Sequence, residues 1–540
     1  MENKEFHKEN LSISEAVLDE AKKNLSRTAI TYFNRKIKYK TLMKKVKALS
    51  FALYSIGVRR GEVVLVALPN IPQAVYTLYA LNRIGAVPAF VSPLSAEYEL
   101  EMYIDKCKPT LIIALDNLYE KLKNAFARTG NKKLVITSVF DELGLHFKAK
   151  KENAVLWTEL LKLKSSANIY LNPLKSNDTA VILFSGGTTG NPKAVELTNL
   201  NLNALASGTE GVCKDEVTNA KMLSVLPMFH GFGLGICIHT VLYFGGECLL
   251  VPRFDSEKVA RIIKRNKPHY VAAVPAMFNP LMKSRSLAKS DLSELKGVFS
   301  GGDSLSAELE KCFNEFLSCH NSKIKVRQGY GLTECVAASC LMPADRFKAE
   351  SVGKPYPDTS YKIVESDTLK EVPEGETGEI CIRSKTVMKG YLDDVTETKN
   401  VLKKHSDGTV WLHTGDMGCM DNEGFVYFKG RLKRIIVTNG HNVYPSEIEM
   451  VISKHPCVKE CCVVGVKDLR KVQAVALFLV LNNRKYKTEE IKAEILKYLE
   501  RYISKQSMPK YIWFLESIPK TALGKTAFSE LEKLAEEIVV

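Results

Sequence analysis

The chain has no apolar stretch that reads as a membrane span. Its longest uncharged run, Val63 to Asn82, is broken by Pro69, Asn70, Pro72 and Gln73, a pattern for a strand, a turn and a buried helix. The first thirty residues alternate charge with isolated apolar residues and hold no h-region, so no signal peptide is expected. Low-complexity tracts and short-period repeats are absent as well. Among 13 cysteines there is no C-x-x-C pair. The densest group, His455, Cys457, Cys461 and Cys462, includes adjacent cysteines, which rarely serve one tetrahedral ion. The thiols are therefore expected to be small buried groups in a reducing compartment. Arginine-rich runs are missing too. Although 76 Lys+Arg face 61 Asp+Glu for a net charge of +15, the basic residues are scattered and no nucleic-acid module is present. These absences predict a soluble, cytoplasmic protein, with no nucleic-acid partner and at most peripheral membrane contact.

What is present is an α/β pattern. At 540 residues two or more domains are expected. Leu42, Val46, Leu49, Leu53 and Ile56 recur at helical spacing and stop at Gly57. Val63–Leu68 reads as a strand, 74–84 as a helix ending at Gly85, and Val87–Val91 as another strand. Strand, helix and strand at this spacing predict a parallel, doubly wound sheet.

The chemistry-bearing stretch follows the apolar strand Thr179–Phe184. Ser185, Gly186, Gly187, Thr188, Thr189, Gly190 and Lys193 combine glycines, hydroxyls and a cation. Glycine lets backbone N–H groups turn toward a ligand, and the hydroxyls and ammonium add donors, which suits phosphate. It is not a Walker A loop, because Ala194 stands where Ser or Thr must follow the lysine. Taken alone the loop is equally a flexible turn between two strands. Further on, Gly329-Tyr330-Gly331-Leu332-Thr333-Glu334 offers an aromatic face for a purine, a hydroxyl and a carboxylate suited to Mg²⁺. Trp411 to Asp416 ends a predicted strand in a carboxylate, and Val298 to Ser304 ends another in Gly301 and Gly302.

With Gly430-Arg431-Leu432-Lys433 and Pro519-Lys520-Thr521-Ala522-Leu523-Gly524-Lys525, these motifs resemble, in order and spacing, those of the acyl-adenylate-forming superfamily. That group includes acyl-CoA synthetases, 4-coumarate–CoA ligases, firefly luciferase and peptide-synthetase adenylation domains. The likeness covers about residues 30 to 530, with Gly186 and Ala194 as mild departures. It implies a large N-terminal domain, 1–430, of stacked doubly wound sheets with a small β-barrel-like subdomain. A small mobile α+β domain, 431–540, would follow a hinge near Lys433.

By the same resemblance, residues 185–190 and Lys193, with Gly302, Gly329, Tyr330 and Gly331, take the nucleotide. Thr333 lies at the α-phosphate, Glu334 on Mg²⁺, and Asp416 and Arg431 at the ribose. Lys525 is catalytic, Gly440, His441 and Asn442 meet CoA, and Phe229, His230, Gly301 and Val336 line the acyl pocket. Phe229-His230 lacks the aspartate with which peptide-synthetase domains hold an amine, and Gly231 and Ala337 add no charge. The expected activity is ATP-dependent ligation of a carboxylic acid, preferably a fatty acid, to CoA, by a monomer or dimer. An aryl acid, or a carrier-protein phosphopantetheine as acceptor, are the alternatives. A catalytically dead sensor is disfavoured because Glu334, Asp416, Arg431 and Lys525 are all present.

Overall fold

A computed structural model describes residues 8–127, 133–145, 154–163, 173–185, 192–213, 217–365, 368–438, 441–468, 472–482, 489–520 and 526–539, without the side chains of 124–127, 441, 442 and 472. Two large sheets are built as the strand–helix–strand spacing predicts. In the eight-stranded sheet, Thr179–Ser185, Val87–Phe90, Val63–Ala67, Leu111–Leu115, Lys133–Thr137 and Ala154–Leu156 run parallel in that spatial order. Lys193–Thr198 and Gly390–Tyr391 extend it antiparallel past Thr179–Ser185. The nine-stranded sheet has a parallel centre of Val326–Tyr330, Gly297–Ser300, Tyr270–Ala273, Lys221–Ser224, Glu247–Leu250 and Thr28–Tyr32. Short antiparallel strands close its two edges.

The helix Pro72–Arg83 shows why the uncharged run does not cross a membrane. Pro72 fits its first turn, where no N–H is needed. Residues Pro72 to Asn82 are all buried, as expected of a helix packed on every side. Several of its polar side chains bond within the protein: Gln73 donates to Thr137 Oγ1 and the Ser138 carbonyl, Thr77 to the Gln73 carbonyl, and Asn82 to Asn199 Oδ1, while Gln73 Oε1 and the Tyr76 hydroxyl lack a hydrogen-bond partner. No helix among the described residues is long and apolar enough to cross a membrane.

Two smaller sheets follow. Ser360–Val364, Gly378–Arg383, Val410–Met420, Leu402–Lys404 and Val426–Arg431 form an antiparallel five-stranded sheet. Beyond it, His441–Val443, Ile436–Thr438, Val472–Leu481, Val458–Asp468 and Tyr511–Phe514 form another. The last sheet is covered on both faces, and its strands alternate accordingly. Val463, Val475, Leu477 and Leu479 pack with Ile448, Ile495 and Leu499, while Cys462, Val464, Ala476 and Phe478 pack with Leu531 and Ala535.

The thiol expectation needs one correction. Most described cysteines are buried or half-buried and none is in a disulfide, but Cys312 and Cys319 are exposed. Both lie on the helix Ala307–Cys319, whose buried stripe is Phe313 and Leu317, so its period turns them outward.

One buried amide bridges the two large sheets, which share an apolar core. Asn70, 1% exposed, donates to the Ser224 and Leu226 carbonyls at 2.9 and 2.8 Å and accepts the Met228 N–H at 2.9 Å. Asn70→Ala leaves three backbone groups without this partner and should cost about 3 kcal/mol or more in urea unfolding. A loss below about 1 kcal/mol would contradict this account of the joint.

Candidate active site

The described ends of the predicted phosphate loop are fixed by the hairpin of Thr179–Ser185 and Lys193–Thr198, in which Ser185 faces Lys193. Gly186, Gly187, Thr188, Thr189 and Gly190 lie outside the described residues. Ser185 Oγ donates to Glu334 Oε1 at 2.9 Å, which joins the loop to the second motif. The Tyr391 hydroxyl donates to the same oxygen at 2.9 Å. Burial, with Glu334 close by, raises the Tyr391 pKa far above the usual phenol range, so it stays a donor. Lys193 forms an ion pair with Glu397 and lies 5.0 Å over the Tyr391 ring. Glu334 thus presents a carboxylate among hydroxyls, a donor set of oxygen alone that fits a hard cation such as Mg²⁺.

Strand Val326–Tyr330 carries the purine-binding candidate. Gly331 is required sterically, since a Cβ there would lie 1.6 Å from the Ala337 carbonyl oxygen, and Gly329 sits tightly, with a Cβ 3.0 Å from the carbonyl oxygen of Cys340. The Tyr330 hydroxyl donates to Asp416 Oδ2 at 2.7 Å. Asp416 is 2% exposed. Arg431 Nε lies 3.2 Å from Asp416 Oδ1, close enough for charge attraction but not aligned as a hydrogen bond, so Oδ1 ends without one. Burial pushes the Asp416 carboxyl above the usual range, Arg431 and Tyr330 oppose that, and Glu334 and Glu379 add to it. A buried, charged acceptor is therefore held beside an aromatic face with one oxygen open.

The acyl-pocket candidates also meet. Gly231 packs against Val336, where a Cβ would fall 1.4 Å from the Val336 carbonyl oxygen, and Gly301 packs against the Phe232 ring. Val336 is fully buried with φ +65°, a left-handed conformation unusual for a β-branched residue. Such strain gathers at functional sites, where surrounding packing holds it. Phe229 and His230 stand with ring centroids 4.7 Å apart, just before the π-helix Phe232–Thr240. Thr333 begins the short 3₁₀ turn Thr333–Cys335, and Gly302, at φ +80°, follows the strand Gly297–Ser300.

Arg431 ends the strand Val426–Arg431, opposite Asp416 in register, and Lys433 follows in the 3₁₀ turn Leu432–Arg434. His441 and Asn442 lie in the strand His441–Val443 beside Ile436–Thr438. Gly440 and Lys525 lie outside the described residues. The group at His455, Cys457, Cys461 and Cys462 does not form a metal cluster; among the described residues only Cys381, His405 and His413 gather closely enough. Tyr391 and Glu397 were not singled out from sequence, although Gly390-Tyr391 precedes a run rich in acids and could have been.

Comparison with known proteins gives a consistent picture. The model of a family described as AMP-binding enzyme matches residues 17–392, and that of the AMP-binding enzyme C-terminal domain matches 447–525. A long-chain-fatty-acid–CoA ligase of Bacillus subtilis is 32% identical, over 96% of this chain and 93% of its own. The 4-coumarate–CoA ligase-like 2 of Arabidopsis thaliana is 30% identical, over 93% of this chain and 86% of its own. In fold, the chain is similar to ATP-bound MatB from Rhodopseudomonas palustris, with TM-score 0.84, 24% identity and coverage of 98% and 100%.

The raised pKa of Asp416 has a consequence for stability. Because the folded value exceeds the unfolded one, its stabilising contribution is complete below about pH 4 and is lost as pH rises through the folded value. Asp416→Asn keeps an acceptor for Tyr330 and removes the buried charge, so the ligand-free variant should be more stable at pH 7, by about 1 kcal/mol. The gain should vanish in acid unfolding near pH 4. A variant less stable than wild type at pH 7 would contradict this.

Proposed function

The chain belongs to the AMP-binding enzyme family and is an adenylate-forming enzyme of the CoA-ligase type; from that premise we propose that it activates a fatty acid as acyl-AMP and passes the acyl group to CoA. The observation that carries the nucleotide part is the buried Asp416 carboxylate with Oδ1 open beside Tyr330. That arrangement suits a ribose diol facing a carboxylate next to a stacked purine. The uncharged surroundings of Phe229, Gly231 and Val336 support an uncharged acyl tail. The aryl alternative retains support from the 4-coumarate–CoA ligase-like relative.

In this reading a substrate carboxylate oxygen attacks the α-phosphorus of ATP, the bond to the bridging oxygen breaks, and pyrophosphate leaves. The product is a mixed anhydride whose later leaving group is AMP. Ser185, Lys193 and the loop between them receive the phosphates, and Lys193 exchanges Glu397 for them. Thr333 faces the α-phosphate. Mg²⁺, when bound at Glu334, would supply charge neutralisation on the phosphate oxygens. Lys525 offsets negative charge where the two anions approach, an electrostatic role worth about 10²–10³ in rate. The CoA thiol, losing its proton, then attacks the acyl carbonyl and displaces AMP. For that step the small domain, 431–540, turns about Lys433 so that residues 440–442 replace Lys525 at the site. Both orientations must be accessible, separated by about a few kcal/mol.

The division of labour is testable in the two half-reactions. In acid-dependent ATP–pyrophosphate exchange, fatty acids should drive turnover and amino acids should not; aryl acids surpassing fatty acids would move the assignment to the aryl alternative. Lys525→Ala should slow adenylation by about two to three orders of magnitude and leave thioester formation from supplied acyl-AMP and CoA nearly intact. Lys433→Pro, which fixes φ at the pivot, should do the reverse. Equal slowing of both steps by Lys525→Ala would remove the support for two orientations, and thioester formation with a carrier protein but not CoA would change the acceptor.

A further inference from the structure

Beneath the turn Thr414–Gly415–Asp416 runs a buried chain of contacts that the chemistry above does not use. Glu379, on strand Gly378–Arg383, is 5% exposed. Its Oε1 accepts the Gly415 N–H at 2.9 Å, and its Oε2 accepts the His413 Nδ1–H at 2.8 Å. His413 meets His405 through the two Nε2 atoms at 2.9 Å. At that distance one of the two imidazoles donates to the other. The chain of hydrogen bonds runs from His405 through His413 and Glu379 and ends on the backbone of the turn.

Cys381, His405 and His413 are all metal-ligating types and lie close together. They do not converge on one point, however. Cys381 Sγ approaches His413 at Nδ1, 3.6 Å away, on the edge that Glu379 occupies, while His405 takes the opposite nitrogen. The two nitrogens of one imidazole point apart, and 2.9 Å is the length of a hydrogen bond. The arrangement orders a turn rather than an ion.

That turn needs ordering. Gly415 has φ +68°, in the region glycine enters most readily, and a Cβ there would meet nothing within 4 Å, so packing does not fix this residue. Its fixed points are polar. Glu379 holds the Gly415 N–H, Thr414 Oγ1 donates to the Ile380 carbonyl at 2.7 Å, and the Asp416 N–H donates to Thr414 Oγ1 at 3.1 Å. Burial works against charge on Glu379, but its bonds to His413 and Gly415 outweigh burial and hold the carboxyl below the usual range. An ionised Glu379 keeps both acceptors available.

We propose that Glu379 is a positioning residue for Asp416, and that His413 and His405 extend its grip, so that this chain sets how strictly the enzyme selects the ribose of its nucleotide. The proposal rests on the reading that Asp416 takes the ribose hydroxyls. The test is pyrophosphate exchange with ATP, 2′-deoxy-ATP, 3′-deoxy-ATP and GTP. Wild type should prefer ATP to the deoxynucleotides by about tenfold or more in kcat/KM, the worth of a hydrogen bond to a charged acceptor. In Glu379→Gln that preference should contract toward one while the preference for ATP over GTP persists. His405→Leu, which removes the partner of His413, should contract it in part, and His405→Gln, whose amide can still hydrogen-bond to His413, should restore it.

A Glu379→Gln enzyme that is slower with every nucleotide but keeps the wild-type deoxynucleotide ratio would overturn the positioning role. A His405→Leu ratio equal to wild type would overturn the extension to His405. If wild type itself fails to discriminate deoxynucleotides, the ribose assignment of Asp416 falls and the proposal with it, a result visible before any substitution is made.

Discussion

The site depends on keeping one carboxylate charged where water cannot reach it. A buried anion is tolerated only when it is paired and hydrogen-bonded. Asp416 has the Tyr330 hydroxyl on one oxygen and only an unaligned guanidinium near the other. Burial raises its pKa despite Arg431 and Tyr330. A nucleotide ribose is a neutral diol of the size and polarity to complete that shell. The ligand-free protein therefore holds a deficit that ligand binding can relieve, which is the usual trade of stability for function.

The same interaction connects the site to the region expected to move. Asp416 lies on the long strand Val410–Met420, and its register partner Arg431 closes the neighbouring strand just before the Lys433 turn. In the proposed reading a ribose would meet the Asp416 oxygen that Arg431 Nε approaches at 3.2 Å, next to the residue that leads into the proposed hinge. At the other end of the proposed site, Lys193 is paired with Glu397, and Glu334 accepts from two hydroxyls. Both charged ends of the nucleotide site are thus satisfied internally by exchangeable partners. This keeps the ligand-free state ordered without tying it into a form that must unfold to bind.

Much of this was legible in the sequence because the groups are local. Ser185 sits at a strand end, Glu334 on a Gly-flanked turn and Asp416 in a strand whose apolar run is easily read. Helix 74–84 was legible as buried because it carries no charge before Arg83. What could not be read are contacts made across the chain. Lys193 and Glu397 are 204 positions apart, Tyr391 and Glu334 57, and Tyr330 and Asp416 86. No local period reports such pairs. The π-helix Phe232–Thr240 was hidden for another reason: it is apolar on every side, so no moment marks it, and its placement comes from Gly231 and Gly233 fitting against the backbone of Val336 and Pro227. The His405–His413–Glu379 chain joins three segments, and only the neighbour relation of His413 to Thr414-Gly415-Asp416 pointed toward it.

The central claim is that Asp416 Oδ1 is kept open for a ribose. A crystal structure of the chain soaked with AMP tests it most directly. The account predicts a ribose hydroxyl within about 3 Å of Asp416 Oδ1, with the adenine against Tyr330. AMP bound elsewhere, with Asp416 Oδ1 still lacking a hydrogen bond, would contradict it.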